Sequence, residues 1–312
     1  MRKISVALVL VLALGGGLAT VDATDAAALG AQQRVDETRR ASRSADIEIY
    51  NLAGSVRIIG WDRAEVQVTG TLGQGTEGLD FDSDEGDVYI GVEVPGRGRR
   101  GEQQFDQVYG SDLEIRVPEG AHVEVDSLSA SVEVVGVGGE ITITTVRGRV
   151  KVDGSPRELN VDTGSGDIIV DVGSATREID LMSGSGSVEL SAEGSEVSVE
   201  TVGGNITVVG LRLRDTSLDS TAGSIHFTGD LVGTNDYDFE SFNGNITLVV
   251  PADVSAAFDA YTFAGGIEND FGFEPRSSER ARLGRRLEFE AGDGDADVAI
   301  ESFSGSIEIR KS

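Results

Sequence analysis

Cysteine is absent from this chain of 312 residues. That excludes disulfides, thiolate metal sites, a cysteine nucleophile and a lipid-modified cysteine anchor. Histidine occurs twice, as His122 and His226. They are far apart along the chain, so no histidine pair at zinc-ligand spacing exists. Basic residues are scarce: 26 Lys and Arg stand against 54 Asp and Glu, a formal net charge of −28. A phosphate backbone must be met by clustered Lys and Arg, so nucleic acid is excluded as a partner. Long apolar runs are missing after residue 28, so nothing there can span a membrane as a helix of about 20 apolar residues. Hydrophobic content of 39% is nevertheless too high for a disordered chain. What is abundant is glycine, 42 residues, about twice the ~7% of average proteins.

The N-terminus carries Arg2 and Lys3, an apolar run from Ile4 to Leu14, then Gly15, Gly16 and Gly17. This is the charged, apolar and small-residue order of a secretory signal peptide, with a small-x-small exit at Val21-Asp22-Ala23. Residues 1–23 are therefore expected to be a signal peptide, an uncleaved anchor being the alternative. The rest of the chain is expected outside the cytoplasm, in the periplasm or at the cell surface. Residues 24–45 are polar and include Arg34, Arg39, Arg40 and Arg43. They read as a linker or a short exposed helix.

The glycine excess follows from a repeat of about nineteen residues, and a repeat decides the fold. Aligned copies include DIEIYNLAGSVRI, HVEVDSLSASVEV, EITITTVRGRVKV, EIDLMSGSGSVEL, EVSVETVGGNITV and DVAIESFSGSIEI. The anchors are Gly54, Ala130, Gly148, Gly166, Gly186, Gly204, Gly223, Gly244, Gly265 and Gly305. The step from Gly265 to Gly305 is two periods wide and holds an insertion. Apolar, mostly β-branched residues stand two and four places after each anchor and five and seven before it. Asn269 and Thr216 are the exceptions. Each copy is thus two short strands of period two that meet at a small residue. One copy cannot bury its own apolar face, but stacked copies share a continuous interior. The expected fold is all-β: a parallel β-solenoid over 121–312, its windings stacked one on the next, behind a β-rich N-terminal section or cap at 46–120.

The anchor glycine is expected to supply a positive φ at a tight corner. Ala130 then marks a strained or different corner. Three places before the anchor runs a hydroxyl column: Ser127, Thr145, Thr163, Ser183, Thr201, Ser220, Ser241, Thr262 and Ser302, with Asn51 in the first copy. Its alternation puts it on the inward face, where short hydroxyls bond turn backbone or each other. A row of nucleophiles is excluded, because no His or Lys shares those columns to activate them. Acids fill outward positions, Asp162, Glu200, Asp219, Glu240 and Glu301 in one column and Asp180, Asp238 and Asp259 in another. They read as a solvated surface, with cation-bridged contact to acidic glycans or lipopolysaccharide, or an Arg loop that grips anions, as the sharper alternative. Arginine gathers in two excursions, Arg97, Arg99 and Arg100 within 96–112, and Arg276, Arg280, Arg282, Arg285 and Arg286 within the insertion at 271–286.

No constellation in the sequence commits to chemistry. Asp80, Asp82, Asp84 and Asp87 alternate like a calcium loop, but the glycine falls one place late for an EF-hand. Asp293, Asp295 and Asp297 alternate likewise. Acids alternating on an exposed strand give both patterns, and whether either run binds calcium stays open. The Gly-Ser-Gly runs at 164–166 and 184–186 precede no Lys-Ser/Thr and no helix, so they are not phosphate loops. No catalytic, cofactor-binding or metal residue is assigned, and no cofactor is expected.

Val117-Pro118-Glu119-Gly120 leads into strand, Ser/Thr-x-x-Gly and strand, repeated to GDGDADVAIESFSGSIEIRK. This resembles the bacterial putative adhesin family, a domain of unknown function, over about residues 46–312. The resemblance implies a right-handed β-solenoid and a non-catalytic, envelope-associated protein, and it transfers no site residues. Function is accordingly expected to be display, a rigid surface acting as a binding or structural scaffold for an envelope glycan or another envelope protein. The alternatives are a β-helix polysaccharide lyase or hydrolase, and an envelope-stress or assembly module contacting a membrane protein. The sequence leaves the oligomeric state open.

Overall fold

The computed structural model describes residues 33–84, 86–95, 110–277 and 284–312. The predicted signal peptide, most of the Arg97–Arg100 excursion, and Arg280 and Arg282 lie outside the described residues. Among the described residues every regular element is a strand, so no helix there is long and apolar enough to cross a membrane.

The first strands are β1 (Arg34–Arg40), β2 (Asp46–Trp61), β3 (Glu65–Thr71), β4 (Gly78–Asp84), β5 (Asp87–Glu93), β6 (Gly110–Pro118) and β7 (His122–Val135). Strand pairs follow, one per repeat: β8 (Glu140–Thr145) and β9 (Val150–Gly154), β10 (Glu158–Thr163) and β11 (Ile168–Val172), β12 (Glu178–Ser183) and β13 (Val188–Glu193). Next come β14 (Glu196–Thr201) and β15 (Ile206–Leu213), β16 (Thr216–Ser220) and β17 (Ile225–Leu231), β18 (Asp236–Ser241) and β19 (Ile246–Val250). The last are β20 (Ala256–Thr262) and β21 (Ile267–Asn269), β22 (Arg276–Ser277), β23 (Arg285–Ala291), and β24 (Ala296–Ser302) with β25 (Ile307–Lys311).

The repeat copies pair in parallel and in the register of their anchors. Val161, for example, lies between Ile143 and Leu181. Two parallel ladders result, one of the strands before the anchor and one of those after it, within a single 25-stranded sheet. The apolar columns of both ladders close on each other and form one continuous buried cluster from Val35 to Ile309. Parallel strands are covered on their inner face only by the opposite ladder, which is why the inward columns are so uniformly Val, Ile and Leu.

Windings do not stack wholly in chain order, and this corrects the sequence reading at both ends. β7 pairs with one side of β2, while β5 and β6, which precede β7 in the chain, pair with the other. At the far end the C-terminal pair inserts between earlier windings. β24 lies between β18 and β20, and β25 lies between β19 and β21. Antiparallel strands border the ladder: β4 on β5, β3 on β6, β1 on β3, and β23 on β20. Such borders occupy edge groups that would otherwise recruit another chain. Residues 34–40, read from sequence as linker or short helix, are strand β1, held by Val35 in the core and by its register with β3. Asn269, the break in its apolar column, ends the short β21; its side-chain amide exchanges bonds with the backbone of Phe273, at 2.6 and 3.2 Å.

The role expected of the anchor glycines is also corrected. Only Gly54 among them has a positive φ, 101°. The others are required by close approach. A Cβ on Gly166 would lie 1.7 Å from the carbonyl oxygen of Gly148, and one on Gly223 1.7 Å from that of Gly204. The same holds up the column to Gly305 over Gly244 and Gly265 over Gly305. Ala130 sits where β2 and β7 run unbroken through the corner opposite Gly54, a different corner from the rest.

The hydroxyl column locks this approach. The Ser220 hydroxyl accepts from Gly223 N–H at 2.8 Å and donates to the Gly204 carbonyl at 3.2 Å. Ser183, Thr201, Ser302 and Thr262 repeat the same two bonds at their own windings. Each of these hydroxyls therefore ties its own corner to that of its neighbour, a structural task with both partners backbone. Ser127 and Thr163 accept from their own corners, Ser241 donates to the Gly223 carbonyl, and the buried Thr145 hydroxyl has no partner.

Candidate functional site

Immediately outside the hydroxyl column the backbone turns, and a groove follows the turn along the stack axis. Its floor and walls come from three adjacent columns, the residues four, three and two places before each anchor. Seven windings contribute, those anchored at Gly166, Gly186, Gly204, Gly223, Gly244, Gly305 and Gly265. At about 4.8 Å per strand the groove runs roughly 30 Å. It encloses about 560 Å³.

One wall is the acidic column. In spatial order it reads Asp162, Met182, Glu200, Asp219, Glu240, Glu301 and Tyr261, so four carboxylates stand on four successive rungs. Like charges one strand spacing apart repel by about 1 kcal/mol in water and by more where water is partly excluded. Burial, followed by the charges of Asp219, Glu301 and Asp238, holds the Glu240 carboxyl above its ordinary range. Elsewhere on the solenoid, acids are answered across windings by bases: Glu133 by Arg57 and Lys151, Glu158 by Arg177, Glu196 by Arg214, and Asp259 by Arg286. Among the described residues no base lies within ion-pair distance of Glu200, Asp219, Glu240 or Glu301.

The other wall is apolar at one end. In the same order its column reads Gly164, Gly184, Val202, Thr221, Phe242, Phe303 and Phe263. The rungs are fixed by backbone bonds from Thr221 N–H to Thr201, Phe242 N–H to Ser220, Phe303 N–H to Ser241 and Phe263 N–H to Ser302. The phenyl rings stack, Phe242 on Phe303 at 4.7 Å and 3°, and Phe263 on Phe303 at 4.9 Å and 8°. Phe242 is 53% exposed and Phe303 46%, while Val202 reaches 61%. Large apolar side chains are placed in water here by the register itself, since their column faces outward. The arrangement offers flat apolar contact beside unpaired carboxylates, the equipment of a binding groove with a few orienting polar groups.

The other sequence candidates fall elsewhere. Asp80, Asp82 and Asp84 alternate on β4, whose register with β5 sets Asp84 beside Asp87 in a hairpin. Asp293 and Asp295 flank a turn organised by the Ser255 hydroxyl. Among the described residues no three acids or histidines converge as metal ligands. His122 faces Glu140 at 3.6 Å, and His226 is exposed beside Thr228. Arg286, from the insertion, is engaged by Asp259 and Glu288. The acid column was visible in the sequence. The aromatic column was not seen, although Phe242, Phe263 and Phe303 share one repeat position; reading it beside the acids would have located the groove.

A family profile described as Toastrack DUF4097 matches residues 44–310. No curated protein matches the chain. Among solved structures, a putative adhesin from Bacteroides fragilis is similar at 12% identity, covering 90% of this chain and 98% of that one, with a TM-score of 0.42. A putative adhesin from Parabacteroides distasonis is similar at 9% identity, covering 90% and 98%, with a TM-score of 0.46. A putative lipid binding protein from the same species stands at 14% identity, covering 89% and 96%, with a TM-score of 0.45.

Proposed function

The chain belongs to the Toastrack DUF4097 family, a domain of unknown function in bacterial putative adhesin-like proteins, and from that footing we propose that it is an exported, non-catalytic binding scaffold. Residues 1–23 serve as its signal peptide, the windings turn right-handed, and the antiparallel β1, β3 and β4 cap the stack. The corner groove is its binding surface and takes an extended component of the cell envelope along the stack axis. The observation that carries this reading is the Phe242–Phe303–Phe263 stack, exposed at Phe242 and Phe303, facing a ladder of carboxylates with no base at ion-pair distance among the described residues. A rigid corner holds both columns in register, so the surface is organised before any ligand arrives, which lowers the ordering cost of association.

Sedimentation with isolated cell envelopes tests it. The purified chain is expected to be retained, and Phe242→Ala with Phe303→Ala is expected to lower the affinity about tenfold or more. Retention that ignores both substitutions overturns the groove as the binding surface. Carboxylates on neighbouring rungs stand one strand spacing apart, about 4.8 Å, close to the ~5–5.5 Å of retaining glycoside hydrolases, so the same samples are assayed for reducing ends. Release of reducing sugar that disappears in Glu240→Gln overturns the non-catalytic assignment.

A further inference from the structure

We infer that the groove's ligand is an extended, arginine-bearing segment of a partner protein, a reading that rests on the groove being the binding surface. Three features of the groove converge on it. First, the carboxylates of Glu200, Asp219, Glu240 and Glu301 stand on four successive rungs of the groove wall with no base at ion-pair distance among the described residues, and only Glu301, at one end, feels the charge of Arg286. A cationic ligand relieves their mutual repulsion; a neutral one leaves it in place.

Second, the ring stack is incomplete in a particular way. It ends on Phe242, and the next rung carries the small, exposed Thr221, followed by Val202. Beside Thr221, two residues back in the same winding, is Asp219, with Glu200 and Glu240 on the flanking rungs. A planar group lying over Thr221 extends the stack as its fourth member and meets carboxylates at its edge. The guanidinium of arginine is planar, stacks on aromatic faces and pairs with carboxylates through a fork of N–H donors. A lysine ammonium supplies the charge without the plane. Third, the groove follows seven successive rungs, about 30 Å at the strand spacing. That suits an extended segment better than a folded surface, and successive carboxylates then accept side chains along it.

The test uses the full chain and short peptides alternating arginine with serine, their lysine twins, a neutral chito-oligosaccharide and phosphatidylglycerol vesicles. Affinities are measured by fluorescence anisotropy or sedimentation at physiological salt. The arginine peptide is expected to bind about fivefold more tightly than the lysine peptide, and Phe242→Ala is expected to erase that preference. Asp219→Asn with Glu240→Gln is expected to weaken the arginine peptide about tenfold or more. Glu189→Gln with Glu268→Gln removes two charges from the other ladder and is expected to change little, which separates the groove from the general attraction of an acidic protein for cations. Equal losses in the two pairs of variants overturn the inference, as does equal binding of the arginine and lysine peptides. Binding of the oligosaccharide or the vesicles through Phe303, with no peptide bound, overturns the inference while leaving the groove a binding surface. Indifference of every probe to every groove variant overturns both.

Discussion

Replacing Gly223 by alanine tests the stacking of the corners directly. The added Cβ would lie 1.7 Å from the Gly204 carbonyl oxygen, 2.5 Å from its carbon and 2.8 Å from the Ser220 hydroxyl. An ordinary contact between carbon and a carbonyl oxygen needs about 3.3 Å, so neighbouring corners must separate by roughly half that distance. They are held together by Thr221 N–H to Thr201 at 3.0 Å and Ala222 N–H to Val202 at 3.0 Å, and by the two Ser220 bonds. Overpacking in a close-packed interior costs about 1–3 kcal/mol. Loss of the hydroxyl bridge adds about 0.5–1.5 kcal/mol for each bond that opens. The expected total is about 3–5 kcal/mol, a large part of a typical folding free energy of about 5–15 kcal/mol.

Guanidinium denaturation followed by far-ultraviolet circular dichroism reads the difference. The informative comparison is Gly136→Ala. Gly136 has a φ of 68° with nothing within 4 Å of its would-be Cβ, so alanine there pays only the left-handed conformation, about 1–2 kcal/mol. If crowding governs the anchors, Gly223→Ala is the more damaging of the two by at least about 1 kcal/mol. A Gly223→Ala protein as stable as Gly136→Ala refutes the close-approach argument and returns the anchors to a conformational role.

Two further substitutions follow from the charged and buried polar groups. Glu240→Gln is expected to raise the melting temperature at neutral pH: the carboxyl's folded pKa lies above its unfolded one, so the folded state binds the extra proton, and stability falls as pH rises from the unfolded value of about 4.3 through the folded value. The gain over the parent should shrink on acidification and vanish below that window; a constant gain at every pH refutes the electrostatic cause. Tyr237→Phe removes a hydroxyl that donates to the Leu213 carbonyl at 2.7 Å and accepts from Val232 N–H at 3.0 Å, and is expected to cost about 1–3 kcal/mol in the same denaturation assay. Burial raises the Tyr237 pKa above the ordinary tyrosine value, so ultraviolet titration should lose one tyrosine that ionises above the ordinary range in that variant.

Column by column, the sequence revealed the inward face well. Ile143, Val161, Leu181 and Val199 stand buried on successive rungs, where their period-two spacing put them. This worked because the signal is repeated: a single alternation is ambiguous, but the same alternation in ten copies fixes the register and the shared interior. The glycine column was legible as a position but not as a cause, since a tight corner and a close backbone approach both demand a missing Cβ. The order of windings was not legible at all. Strand pairing partners are chosen by three-dimensional closure, and β24 carries the same pattern whether it lies beyond β20 or inside it. The groove was half legible, through its acids. Its aromatic wall escaped because Phe242 and Phe303 occupy a turn position that the search for strand periodicity passes over.

The interleaved end links folding to the binding surface. In chain order the three rings are Phe242, Phe263 and Phe303, but in space Phe303 lies in the middle. Windings β18/β19 and β20/β21 have no direct pairing and are joined only through β24/β25. A solenoid built in chain order would lose only its last winding on truncation. Here, deletion of residues 292–312 leaves β18 exposed as an edge and β20 paired with β23 alone. It also removes the central ring and Glu301, so neither wall of the groove stays continuous. An isolated two-stranded hairpin is marginal in water, so the segment from Ala256 to Ala291 is expected to lose its protection along with the deleted winding. Limited proteolysis and amide exchange of the truncated chain should show cleavage and rapid exchange throughout 256–291, with the windings up to β16/β17 still protected. Persistent protection of Ala256–Thr262 in that variant would mean the penultimate windings pair without the C-terminal strands, contrary to the order in which this sheet is assembled.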